Sequence, residues 1–408
     1  MFLCIFVKKN KVVQKLVSQF YEKYALVQTQ QVRDFMHTID WDNRFIGIKG
    51  SRGVGKTTLL LQYIRLNFEP NKSVLYVSLD HLYFLENTLY DLASDFYKKG
   101  GLFIAIDEVH KYPNWAIEIK NIYDAMPNLR LVFTGSSLLH IQQAKADLSR
   151  RVVVYTMPGL SFREFIQFET QIKLDSYTLK EIVDNPVAIS MAITQKVKPL
   201  VYFENYLDYG YYPFYIENKK SFHQKLSEVI LTVLEVDIPQ YASIPVSNSV
   251  LLKKLLAVIS NSVPFKPNMN AISERTGISL NTMKNYLRLL NDSQLLQLIY
   301  VEDKGINSLG KPEKIFLNNP NLMYNLGIDA DKGNIRETFF LNQVHYKHVV
   351  FASKTVDFMV DGRYEFELGG RNKKQKQIKG LQNAFIVKDD IEIGSDLTIP
   401  LWLFGFLY

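Results

Sequence analysis

Unbroken apolar runs alternate with segments of helical spacing along the N-terminal part of the chain. The runs are Phe45-Ile46-Gly47-Ile48, Ser73-Val74-Leu75-Tyr76-Val77-Ser78, Leu102-Phe103-Ile104-Ala105-Ile106, Leu131-Val132-Phe133-Thr134 and Val152-Val153-Val154-Tyr155. A short apolar run without alternation is the pattern of a parallel strand covered on both faces. With helices between them, such strands predict an α/β fold with a doubly wound parallel sheet of the P-loop type. An extra strand is expected between the first run and the one that ends in Asp107-Glu108. Ahead of the sheet, apolar Met1 to Val7 reads as a strand, a docking tail or a start-site artefact, followed by a helix over about Val12 to Tyr24.

The pattern changes further on. Residues from about Leu160 to Ser243 are rich in helix-forming and aromatic residues, and the aromatics of Tyr206 to Pro213 read as core or lid packing. Met269 to Gly277 reads as a short helix closed by glycine, and Ser279 can cap a second helix with Leu280, Met283, Leu287 and Leu290 on one face. With a β-like Leu298–Lys304 segment behind them, these helices suit a winged helix-turn-helix. The opposite face would show Asn281, Thr282, Lys284, Asn285 and Arg288, of which Lys284 and Arg288 are the candidate DNA contacts.

In Val356 to Leu368 the even positions are apolar around an Asp361-Gly362 turn. A three-residue loop, Val360 to Gly362, would pair Phe358 with Tyr364 and keep the apolar side chains on one face. Asp357, Glu365 and Glu367 then share the other face.

At 408 residues the chain is expected to hold several domains. The boundaries read as 1–30 for an N-terminal segment, 31–159 for a nucleotide-binding domain, 160–245 for a helical lid, 246–312 for the winged helix and 313–408 for a small α+β domain. With 47% hydrophobic and 22% charged residues, the composition is that of a soluble globular protein. A net charge of +7 favours polyanionic partners, which nucleotide and nucleic acid both satisfy. The single cysteine, Cys4, excludes an internal disulfide framework and fits a reducing cytoplasm. No segment reads as a membrane span.

The candidate chemistry begins at Gly50-Ser51-Arg52-Gly53-Val54-Gly55-Lys56-Thr57-Thr58, which fits G-x-x-x-x-G-K-[ST] between a strand and a helix. Glycines let backbone N–H groups face phosphates, Lys56 reaches the β/γ-phosphates of ATP and Thr57 ligates Mg²⁺. Asp107 would hold Mg²⁺ through water, and Glu108 would activate the water that attacks the γ-phosphate. Ser136, with Thr134 behind it, is the candidate sensor of the γ-phosphate. Arg150-Arg151 stand just ahead of the last run, where an arginine can reach a phosphate on a neighbouring subunit of a homo-oligomer.

These motifs, with Asp107 to Trp115, Thr134-Gly135-Ser136-Ser137 and Leu160-Ser161-Phe162-Arg163-Glu164-Phe165, resemble those of prokaryotic AAA+-related ATPases (AAA_14-type) that carry a DUF4143 region. The resemblance implies an ATPase and assigns the family arginine to Arg151, with Arg150 where that family has glycine. It also implies a C-terminal PD-(D/E)XK-like nuclease fold, with Glu337, Asp357 and Glu367 as its acidic residues. Gly369 stands where the lysine of that fold is expected, and Lys373 and Lys374 are the nearest replacements, so the nuclease reads as inactive. The rival readings are an ATP-gated DNA-binding regulator and an ATP-dependent nuclease.

Overall fold

In the computed structural model, which describes residues 2–135, 148–261, 267–302, 311–326 and 331–408, the five apolar runs form one parallel sheet. Its strands are β1 (Phe45–Lys49), β2 (Val74–Ser78), β3 (Phe103–Asp107), β4 (Arg130–Gly135) and β5 (Val153–Thr156), in the order β2-β3-β4-β1-β5. The inserted strand is thus β4, between the P-loop strand β1 and the acidic strand β3. Four of the strands are buried along nearly their whole length, which is why they read as continuous apolar runs, whereas edge strand β5 leaves Val153 and Val154 exposed. Helices α2 (Lys56–Asn67), α3 (Leu89–Lys98) and α4 (Trp115–Ala125) supply the crossovers.

At the N-terminal segment the expected helix over Val12 to Tyr24 is part of a longer one, α1 (Phe2–Leu26), which runs through the residues for which a strand was one of the readings. Leu16, Phe20 and Tyr24, spaced by one helical turn, are buried on it and hold it against β2.

The chain divides into two compact units, Met1–Pro158 and Gly159–Tyr408. The second unit opens with α5 (Phe162–Thr170), where Ser161 and Glu164 form a reciprocal capping box. Tyr206, Tyr211, Tyr212 and Tyr215 are buried, so the aromatic stretch is core, as read. Helices α6 (Met269–Thr276) and α7 (Leu280–Asp292) are joined at Gly277, whose φ of +73° needs glycine, and Ser279 caps α7 through the N–H of Thr282. Met283, Leu287 and Leu290 are buried as expected, but Leu280, in the first turn, is 42% exposed. The strand behind them begins earlier than Leu298: β6 (Leu296–Ile299) pairs antiparallel with β7 (Lys314–Leu317). Residues 303–310, which include Lys304, lie outside the described residues.

The remainder is helix α8 (Lys332–His345) with strands β8 (Val350–Ala352), β9 (Phe358–Val360), β10 (Tyr364–Gly369), β11 (Ala384–Lys388) and β12 (Thr398–Pro400), in the order β12-β11-β10-β9-β8. The hairpin loop lies one residue later than expected, which moves the pairing by two residues and so leaves each side chain on its expected face. Val360 pairs with Tyr364 and Phe358 with Phe366, so the loop is Asp361 to Arg363. Asp361 and Gly362 both take positive φ, and the Arg363 N–H donates to Val360 O, a type I′ turn followed by one extra residue. The loop still holds an odd number of residues, so Val356, Phe358, Val360, Tyr364, Phe366 and Leu368 are all buried. Among the described residues no helix is long and apolar enough to cross a membrane.

Candidate nucleotide site and C-terminal carboxylate cluster

The loop from Gly50 to Gly55 connects β1 to α2 and takes its shape from its glycines. Gly53 and Gly55 have φ of +87° and +93°, a region that side chains with a Cβ avoid. A Cβ on Gly50 would stand 2.4 Å from Met157 O. Lys56 is buried, and its Nζ donates to Gly50 O at 2.9 Å and Ser51 O at 2.7 Å, so the ammonium lies inside the loop it belongs to. Val54 is buried beneath the loop, and Thr58 follows Thr57 on the first turn of α2. Arg52 is half-buried.

Sequence reasoning missed a residue that fixes this loop. Arg33, 5% exposed, donates to Val54 O at 3.1 Å and to Pro158 O at 3.2 Å. Gln62 of α2 anchors the approach to Arg33 by donating to Gln28 O and Gln31 O. No periodic pattern marks Arg33, which sits in a polar stretch.

Across the loop, Thr57 Oγ1 donates to Asp107 Oδ2 at 2.6 Å. The two residues read as metal ligands are therefore adjacent. Asp107 also accepts from Tyr76 OH at 2.9 Å and from Thr134 Oγ1. Burial, and then the Asp107 carboxylate, raise the pKa of the Tyr76 phenol, so it stays a proton donor. Glu108 has left-handed backbone, φ 54° and ψ 42°, which costs a non-glycine residue about 1–2 kcal/mol. Its Oε2 lies 3.2 Å from Nε2 of the buried His110.

Ser136 lies outside the described residues; Thr134 is fully buried on β4. Arg151 forms a two-point ion pair with Asp124, at 3.1 Å and 3.2 Å. Arg150 is exposed with φ +67°, a backbone geometry that suits glycine and is occupied here by arginine.

In the second unit the structure gathers Glu337, Asp357 and Glu367 around two lysines. Lys314 Nζ lies 3.2 Å from Glu337 Oε2 and 3.8 Å from Asp357 Oδ1, and Lys373 donates to Glu367 Oε1. The cation expected from the strand is thus present from elsewhere. The Lys373 chain crosses Gly369 so closely that a Cβ there would stand 2.6 Å from its Cγ. Lys314 was not anticipated. Burial raises the pKa of both Glu337 and Glu367, with Lys314 and Lys373 respectively opposing the shift. Glu365 turns aside to Thr355. On α7, Lys284 and Arg288 are exposed, and Arg288 donates to Asn285 Oδ1 at 3.3 Å.

Residues 42–166 match a family model described as "AAA domain". Residues 201–332 match a domain of unknown function, DUF8612, where the resemblance had implied DUF4143. The uncharacterized protein MJ1637 of Methanocaldococcus jannaschii is 27% identical over 398 residues, covering 88% of this chain and 83% of that protein. Among solved structures, the Walker-type ATPase PABY2304 of Pyrococcus abyssi is similar at 13% identity, with 70% of this chain and 92% of that chain covered and a TM-score of 0.37. AMPPCP-bound DnaA from Aquifex aeolicus is also 13% identical, covering 69% and 88% with a TM-score of 0.25. Sheet order, loop geometry and the family match agree: the first unit has an α/β P-loop fold, and residues 42–166 carry the match to the AAA domain.

Proposed function

We propose that the chain is an ATP- and Mg²⁺-dependent ATPase whose nucleotide state controls a DNA-contacting C-terminal unit. The observation that carries this reading is the 2.6 Å bond between Thr57 and Asp107 beside the buried Lys56 ammonium. It brings a phosphate-binding cation and a metal-binding pair together at the C-terminal ends of parallel strands, where α/β sheets keep their ligands. The donor set fits a nucleoside triphosphate with Mg²⁺, which supplies charge neutralisation across the phosphates when bound.

The roles of the residues follow from their positions. The N–H groups from Gly50 to Thr58 face the phosphates, and Lys56 exchanges its loop carbonyls for phosphate oxygens. Thr57 and Asp107 hold the metal, and Glu108 takes the proton of the attacking water. Arg151 is the candidate finger for a neighbouring subunit of a homo-oligomer. Its ion pair with Asp124 is half exposed, and such pairs contribute only about 0–1 kcal/mol, so releasing it costs little. Lys56→Ala should abolish nucleotide binding by calorimetry, while Glu108→Gln should bind ATP and fail to hydrolyse it. Normal ATP affinity in the lysine variant would refute the assignment.

We read α6, α7 and the β6–β7 hairpin as a winged helix that presents Lys284 and Arg288 to DNA phosphates. The C-terminal sheet with α8 is read as a nuclease-like fold that does not cut. The support for inactivity is Lys314, whose ammonium neutralises Glu337 and Asp357 from within the chain. Incubation with Mg²⁺ or Mn²⁺ and plasmid, linear or single-stranded DNA tests this, and cleavage lost in Asp357→Ala would overturn it.

A further inference from the structure

The Asp107 carboxylate is saturated by donors from its own chain. Oδ2 accepts from Thr57 Oγ1 at 2.6 Å and from Tyr76 OH at 2.9 Å, while Oδ1 accepts from Thr134 Oγ1 and from the Glu108 N–H at 3.1 Å. An ionised carboxylate offers about four acceptor positions. A metal-bound water that donates to Asp107 must therefore take a position that one of these donors holds.

The donors differ in their freedom to leave. The Glu108 N–H belongs to the backbone beside Asp107, Thr134 is fully buried on β4, and Thr57 is fixed on the first turn of α2. Tyr76 reaches across from β2 and borders a cavity of about 80 Å³ between α1 and the C-terminal end of β2. Leu16, Phe20 and Lys23 of α1 line that cavity with Asp80 and His81. Lys23 Nζ stands 4.9 Å from the centre of the Tyr76 ring, so α1 rests on the face of the phenol.

We propose that the Tyr76 hydroxyl is a placeholder for the metal-bound water on Asp107, and that its displacement toward the cavity carries the arrival of Mg²⁺-nucleotide to α1. This rests on the reading of the site as one for ATP and Mg²⁺. It makes Tyr76 a positioning residue that acts through Asp107. Removing the hydroxyl removes a competitor of the incoming water, so Tyr76→Phe should need less Mg²⁺ than its parent. A permanent clamp would give the opposite sign.

The test uses full-length Glu108→Gln protein, with and without Tyr76→Phe, and a fluorescent ATP analogue titrated with Mg²⁺. The Mg²⁺ midpoint should fall by up to about tenfold, the scale of one hydrogen bond to a charged group. Affinity for the analogue in EDTA should be unchanged. Amide exchange over residues 14–26 should respond to Mg²⁺-nucleotide in the parent and not in the Tyr76→Phe protein. An unchanged or higher midpoint, or an equal response of α1 in both, overturns the placeholder while leaving the ATP reading intact. A parent that binds no nucleotide at any Mg²⁺ concentration sinks both.

Discussion

Replacing Lys314 with methionine keeps most of its bulk and removes the charge that Glu337 and Asp357 share. The side chains of Lys314, Glu337 and Asp357 are 17%, 18% and 23% exposed. Breaking a fully buried pair costs about 3–5 kcal/mol, and about a fifth of exposure with residual hydration roughly halves that, giving about 2 kcal/mol at neutral pH. The loss depends on pH with a definite sign. Burial already raises the Glu337 pKa, Lys314 opposes the shift, and Asp357 adds to it. Without Lys314 the pKa rises further, and the folded state takes up a proton that the unfolded chain lacks. Stability tied to that proton is present below the ordinary carboxylate range and is lost as pH rises through the folded value. The variant should therefore fall furthest behind its parent at neutral pH and recover on acidification. Trp402 is fully buried in the second unit, so its fluorescence, with Trp41 and Trp115 replaced by phenylalanine, reports unfolding there in urea. A loss below about 0.5 kcal/mol, or one that does not change with pH, would refute the charge-compensation argument.

Arg33→Met should weaken ATP binding by about tenfold, because two carbonyls that shape the loop lose their donor; calorimetry that shows parental affinity would deny Arg33 that role. Lys284→Ala with Arg288→Ala should weaken DNA binding and reduce its salt dependence by about two counter-ions, read by fluorescence anisotropy across a salt series. Unchanged binding would move the contact elsewhere. Mixing Arg151→Ala with Glu108→Gln protein should restore turnover if the finger acts between subunits, and no recovery in mixed oligomers would remove that role.

Contacts within one stretch of sequence were legible, and contacts between distant stretches were not. The loop from Gly50 to Thr58 is contiguous, and Asp107-Glu108 announces itself at the end of an apolar run. Arg33, by contrast, meets Val54 and Pro158 across separations of 21 and 125 residues. Tyr76 reads as one more apolar strand residue, and only the register of β2 on β3 brings its hydroxyl to Asp107. The hairpin shows a different limit. Alternation fixes only whether the loop is odd or even, and Val360–Gly362 and Asp361–Arg363 satisfy it equally. The left-handed pair Asp361-Gly362 at the turn centre decides between them. Lys373 escaped the motif because it stands in for position 369 from four residues downstream, across a glycine where a Cβ would force its side chain to shift.

Arg33 has a practical corollary for anyone isolating the N-terminal unit. The family match begins at residue 42, and a fragment cut there would discard Arg33, the Gln28 and Gln31 carbonyls that Gln62 grips, and the whole of α1. Such a fragment would keep every residue of the recognisable motif yet lose the buttress that sets the loop's curvature. Its failure to bind ATP would then report on the excision boundary and leave the motif unjudged. A fragment that begins before α1 and runs through Pro158 carries the pocket together with its scaffolding.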